Sequence, residues 1–179
     1  MLIRIHGVAR RCALAAIVLA LAACATSEPA PPQPAALTAA TPQQQVAAIR
    51  AAAGDGDGEL AIQPLRDPKV EDLREQAARL ETQGHDADAA KALDEALQIV
   101  PDDPALLQER AEAALLLGDH RQAETLARRA FETGSKVGPL CRRHWATVEQ
   151  ARLLEGDAAG AATAKAQVGQ CTVAGVNRF

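Results

Sequence analysis

The chain has 179 residues, 19 of them basic and 23 acidic, for a net charge of −4. Aromatic side chains make up 2% and tyrosine is absent, so the basic stripe and stacking platforms of a nucleic-acid binder are missing. A large apolar ligand pocket, which usually recruits aromatic walls, is excluded on the same ground.

MLIRIHGVARR carries Arg4, Arg10 and Arg11 and no acid, and a mostly apolar stretch follows from Cys12 to Ala23. This is the charged region and apolar core of a signal peptide, shorter than the roughly 20 residues that span a bilayer. An ordinary secretory signal accounts for the small residues of Leu21-Ala22-Ala23 and leaves Cys24, at the cut, as coincidence. All four positions of Leu21-Ala22-Ala23-Cys24 resemble the lipobox of bacterial lipoprotein precursors. That resemblance implies a diacylglycerol on the Cys24 sulfur, removal of residues 1–23 and a new terminus at Cys24. Ala25 stands where aspartate would resemble an inner-membrane retention signal, so the resemblance implies the periplasmic face of the outer membrane. More than one acyl chain is needed for stable anchoring. Residues 1–23 hold three arginines and no acid, so 16 basic residues then face 23 acidic ones and the net charge becomes −7.

Residues 24–41 are rich in Pro and Ala with few large apolar side chains, which predicts a disordered tether reaching on the order of 50 Å in polyproline form. Residues 42–66 read as a short helix and an acidic, glycine-rich loop. Thr41, Pro42 and Gln44 give a capping box with proline at the first helical position; Val46 and Ile49 share a face, and Gly54 ends the helix. Asp55-Gly56-Asp57-Gly58-Glu59 lacks the twelve-residue calcium loop with its closing glutamate, and reads as a turn. Glu59 to Leu65 suits a short extended segment, and Pro64 argues against a central strand.

From residue 67 the pattern is helical. Asp67-Pro68 opens a helix with Val70, Leu73, Ala77 and Leu80 at helical spacing, and Gly84 stops it. Asp86 is expected to cap the next, which carries Ala89, Leu93, Ala96, Leu97 and Val100 to Pro101. Asp103-Pro104 opens a third that Gly118 stops, and a fourth runs from about His120 to Phe131. Each is too short to be stable alone. Gly84 and Gly118 are 34 residues apart, as are Leu73 and Leu107, Ala77 and Ala111, Ala89 and Ala123, and Ala96 and Ala130.

These residues at this period resemble the tetratricopeptide repeat, a helix-turn-helix unit of 34 residues. The resemblance implies an all-α fold, a short solenoid of three repeats at 70–103, 104–137 and 142–174, within a domain from 67 to 174 and ahead of a tail at 175–179. The small residues let two helices cross closely. Ser135 replaces the exit proline of repeat two. Repeat three, shifted by four residues around Gly138-Pro139, is taken to start at Arg142, with Trp145, Gly156 and Ala161 at family positions and Glu149 and Lys165 off type.

No catalytic constellation is present: there is no G-x-S-x-G, H-E-x-x-H or phosphate loop. The chain is therefore expected to be no enzyme and to need no cofactor or metal. His85 and His120 fall in equivalent turns as solvated side chains. Cys141-x-x-His144 is half of a zinc site without enough further ligands. A disulfide between Cys141 and Cys171 is the simpler use of both thiols in an oxidising compartment. The start and end of a helical hairpin lie side by side, and closing a loop of about 30 residues contributes roughly 3–4 kcal/mol.

The resemblance also implies a concave groove lined by first helices: Glu71, Arg74, Ala78 and Glu81, then Gln108, Glu112, Leu115 and Leu116, then Arg143, Ala146, Gln150 and Leu153. The family's lysine-and-asparagine clamp for acidic chain ends is absent, since Arg74, Ala78, Gln108 and Glu112 occupy its positions. Leu115, Leu116 and Leu153 either form a peptide-docking strip or pack on the adjacent helix; Glu109 is expected to be exposed. The function implied is an adaptor or scaffold that binds another envelope protein or peptide segment while held to the membrane through Cys24. Alternatives are a pilot or assembly factor of a pilus or secretion system, or an activator of a cell-wall enzyme.

Overall fold

The computed structural model describes residues 35–54 and 67–172, and among these residues the chain forms seven helices and no strand. The signal sequence, Cys24, the tether up to residue 34, the acidic loop at 55–66 and the tail at 175–179 lie outside the described residues. Helix α1 is Pro42–Ala52, followed by α2 (Pro68–Thr82), α3 (Asp86–Ile99), α4 (Pro104–Leu116), α5 (His120–Thr133), α6 (Pro139–Leu154) and α7 (Ala158–Gln170). Pairs α2–α3, α4–α5 and α6–α7 are hairpins, and each hairpin packs on the next through α3–α4 and α5–α6. Among the described residues, no helix is long and apolar enough to cross a membrane.

The three hairpins turn in the same way because each turn is closed by a glycine with positive φ: Gly84 at 76°, Gly118 at 78° and Gly156 at 76°. In each, the glycine N–H reaches back to one carbonyl of the last helical turn and the next N–H reaches one residue further: Gly84 to Glu81 and His85 to Leu80, Gly118 to Leu115 and Asp119 to Ala114, Gly156 to Leu153 and Asp157 to Arg152. This double return satisfies helix carbonyls that would otherwise lack partners, in a left-handed conformation that favours glycine. Asp119 and Asp157 then cap the following helices through Gln122 and Gly160 N–H groups. Asp103 does the same for α4 through Ala105 and Leu106.

The small residues of the period lie where helices cross. Ala77, Ala89, Ala96, Ala111, Ala123 and Ala130 are all buried, with Ala111 fully so. One local expectation needs correction. The residue before α3 that serves as its cap is His85, without a side-chain bond, and Asp86 is already in the first helical turn, where its negative charge suits the helix N-terminus. The first helix of the third hairpin begins at Pro139, three residues ahead of Arg142, because Gly138 at φ 91° turns the chain and proline is pre-set for the first helical position.

The third hairpin is closed at its open end by the Cys141–Cys171 disulfide, whose Cα atoms are 5.7 Å apart. Gly138 N–H also donates to the Cys171 carbonyl at 2.7 Å.

Candidate partner-binding cleft

The concave face is built from α2, α4 and α6, and its far half is already occupied by α1. Thr41 accepts from Gln44 N–H while the Gln44 side chain accepts from Thr41 N–H, so the capping box fixes where α1 begins. Its face of Gln45, Val46 and Ile49 is buried, and the two aliphatics pack with Ala114 and Leu115 of α4 and Ala146 and Ala151 of α6. At the end of α1, Gly54 takes φ 71° and the Arg142 guanidinium donates to the Ala52 and Ala53 carbonyls at 3.2 and 3.0 Å. Ahead of α1, Leu37 N–H donates to the Leu153 carbonyl at 2.8 Å. The last residues of the expected tether, 35–41, thus include a backbone contact to α6.

Beneath α1 lies a buried polar network. Glu112 is fully buried and accepts from Arg50 Nε at 2.8 Å, Arg143 Nε at 3.0 Å and Gln108 Nε2 at 2.8 Å. Gln108 Nε2 also donates to Thr147 Oγ1 at 2.8 Å, and Gln108 Oε1 lies 2.8 Å from His144 Nδ1. With that amide oriented so, the His144 Nδ1–H is the donor and Nε2 carries the lone pair, without a hydrogen-bond partner. Burial, with repulsion from Arg143 and Lys136, pushes the His144 pKa down to about 3, which keeps the ring neutral. A buried carboxylate is tolerable when cations and hydrogen bonds surround it, and Arg50 and Arg143 supply the charge.

This arrangement changes the role of several expected groove residues. Gln108, Glu112 and Leu115 have no exposed surface and cannot dock a partner in this arrangement; Glu112 and Leu115 hold α1, and Gln108 orders the network beneath it. Ala146 is buried in the same contact and Leu116 packs at its edge. Gln150 and Leu153 are half-buried. The signal for this outcome was present in Val46 and Ile49, an apolar pair on a helix with no hairpin partner of its own. Cys141 is committed to the disulfide and His144 to Gln108, so the half zinc site does not assemble. Among the described residues no cluster of His, Cys, Asp and Glu could hold a metal ion.

The near half of the concave face, along α2, is open. A cleft of about 570 Å³ lies there, with Ala77, Ala78, Ala89 and Leu93 among its apolar lining residues. One wall is the Arg50–Glu81 pair, a two-bond fork at 2.7 and 2.9 Å. The other is Arg74, which bonds Glu71 at 3.0 Å and Glu109 at 2.9 Å. Glu109, expected to be exposed, is half-buried because it is the α4 end of that link. Hydrogen bonds to Glu81 and to Glu109, opposed by burial, raise the pKa values of Arg50 and Arg74 above the ordinary guanidinium value. The cleft therefore gathers Glu71, Arg74, Ala78, Glu81 and Arg143 of the expected groove, and adds Arg50, Glu75 and Glu109.

No family model matches this chain, and no curated protein does. Among solved structures, it is similar to the globular C-terminal domain of P. aeruginosa LpoP, at 32% identity with a TM-score of 0.56. The likeness covers 59% of this chain and 99% of that one. The chain therefore belongs to the family of the LpoP globular domain.

Proposed function

We propose that this protein is a lipid-anchored envelope protein that binds and activates a cell-wall enzyme and performs no chemistry itself. The likeness to nearly the whole LpoP domain carries this reading and favours it over the pilot or secretion-factor alternative. The lipobox ending at Cys24 supports a membrane-held position, with the outer membrane favoured by Ala25. The arrangement of the described residues suits binding: helices of a rigid solenoid present an open cleft at one end, while α1 closes the other. The tetratricopeptide period supports the same role, since such solenoids use their concave faces for protein recognition.

A photo-crosslinking residue at the exposed Ala78, expressed in cells, should capture an enzyme of wall synthesis. That enzyme, purified, should turn over faster when the mature protein is added, while the protein alone leaves wall fragments unchanged. An unchanged enzyme rate would refute the activator reading, and capture of a secretin or pilus subunit would replace it with the assembly reading. Anchoring is tested separately. Cys24→Ala should leave an uncleaved precursor that no fatty-acid probe labels, and normal processing of that variant would rule out lipidation at Cys24.

A further inference from the structure

We propose that the open cleft between α1 and α2 receives a basic segment of the partner, a stretch of chain bearing lysine or arginine. The inference rests on the reading of this protein as a partner-binding regulator and adds the chemistry of what it binds. The cleft volume of about 570 Å³ is in the range of about 300–1,000 Å³ that holds small ligands, or here a few side chains of a peptide. Its alanine-rich floor lets an incoming backbone come close.

Charge decides between partners. Glu71, Glu75, Glu81 and Glu109 line the cleft against Arg50, Arg74 and Arg143. All three guanidiniums are committed: Arg74 to Glu71 and Glu109, Arg50 to Glu81 and Glu112, and Arg143 to Glu112. An incoming carboxylate would have to break one of these pairs, and Glu112, being buried, could not compensate with water. Two of the acids, by contrast, face outward. The Glu71 side chain is 47% exposed and that of Glu75 is 64% exposed, while Arg74 between them is 19% exposed. Among the described residues Glu75 meets only the exposed Arg79, at 3.5 Å, a surface pair of little strength that a partner's cation can displace. The surplus of acidic residues in the chain steers the same class of partner toward it. At the other end of the concave face α1 leaves no room.

The test uses residues 25–179, the mature chain without its lipid-bearing Cys24, and two labelled octapeptides, one of lysine and alanine, one of glutamate and alanine. The lysine peptide should bind at low ionic strength, shift the amide resonances of Ala78 and Thr82, and be released by salt. Glu75→Lys should weaken it about tenfold, a difference of about 1.4 kcal/mol, and Glu75→Gln less. Glu132→Lys, an equal charge change on an exposed residue of α5, should leave binding at the cleft nearly unchanged. Equal binding of both peptides, equal weakening by Glu132→Lys, or shifts confined to α5 would overturn the assignment. A dimer whose contact includes Ala78 would overturn it as well, giving the cleft to a second copy. An enzyme activated equally by wild type and Glu75→Lys would overturn the cleft inference and leave the activator reading intact. No activation by wild type would refute that reading instead.

Discussion

In the first hairpin, α2 turns Glu71, Arg74 and Glu81 toward an open cleft; in the third, α6 turns Ala146 toward α1 and sets His144 and Thr147 in the buried network beneath it. Both hairpins close on a glycine of φ 76°, so the turn is not what separates them. The difference is what covers the inner face. A terminal solenoid unit has a neighbour on one side only and must be stabilised by other means. The third hairpin has α1, the Gln108–Glu112–His144–Thr147 network and the Cys141–Cys171 bridge. The first has ion pairs alone on that face, and keeps its surface available. Similar scaffolds are thus sealed at one end and left open at the other.

The sharpest way to break this contrast is reduction of the disulfide, or Cys141→Ala with Cys171→Ala. The 30-residue separation gives an expected loss of roughly 3–4 kcal/mol in the chain-entropy model. Amide exchange should accelerate in α6 and α7 first while α2 and α3 stay protected. Uniform acceleration across all helices would mean that the hairpins unfold as one unit.

Acidification tests the sealed network next. The folded-state pKa of His144 is depressed to about 3 from 6.5, so the unfolded chain binds the additional proton between those values. His144 therefore costs nothing above about pH 6.5, and stability falls as pH drops toward 3, by up to about 1.4 kcal/mol per pH unit. Between pH 6.5 and 5 the expected loss is about 2 kcal/mol. His144→Asn, which cannot titrate, should show a flatter profile of urea midpoint against pH. Parallel profiles for the two proteins would remove His144 as the acid-sensitive element.

Between the two ends stands Ala111, fully buried and packed with Ala127, Val148 and Ala164. Ala111→Leu should overpack that junction and destabilise by roughly 1–3 kcal/mol, read as a lower thermal midpoint. An unchanged midpoint would show that hairpins two and three can separate without loss. The smallest effect is expected at the turn shared by all hairpins. A Cβ on Gly118 meets nothing within 4 Å, but its φ of 78° strains any L side chain. Gly118→Ala should cost about 1 kcal/mol in denaturant melts, and a neutral result would indicate that the turn relaxes.

Helix ends were legible in the sequence because they are local. Asp67-Pro68, Asp103-Pro104 and Thr41-Pro42-Gln43-Gln44 satisfy their own N–H groups within a few residues, and Gly84 and Gly118 mark turns that need positive φ. The small positions were legible through the 34-residue period, since a close crossing repeats wherever the hairpin repeats. The start of α6 at Pro139, three residues ahead of Arg142, was not legible because the period breaks there and Gly138-Pro139 govern locally. Glu109 misled for a different reason: an acidic residue on a helix reads as solvent-facing until a cation on another helix claims it, as Arg74 does.

The sequence by itself determined the helices, their pairing into hairpins and the residues that allow them to cross. It also made Cys141 and Cys171 natural partners at the two ends of one hairpin. Only the tertiary structure decided that the concave face is divided. Val46 and Ile49 announce that α1 has an apolar face, but burial is non-directional and does not name the surface that will cover it. Arg50 resolves the choice, reaching the buried Glu112 on α4 and Glu81 on α2 together. Those three residues are separated by 31 and 62 positions in the chain, beyond the range over which local spacing carries information, and their meeting leaves the cleft along α2 open.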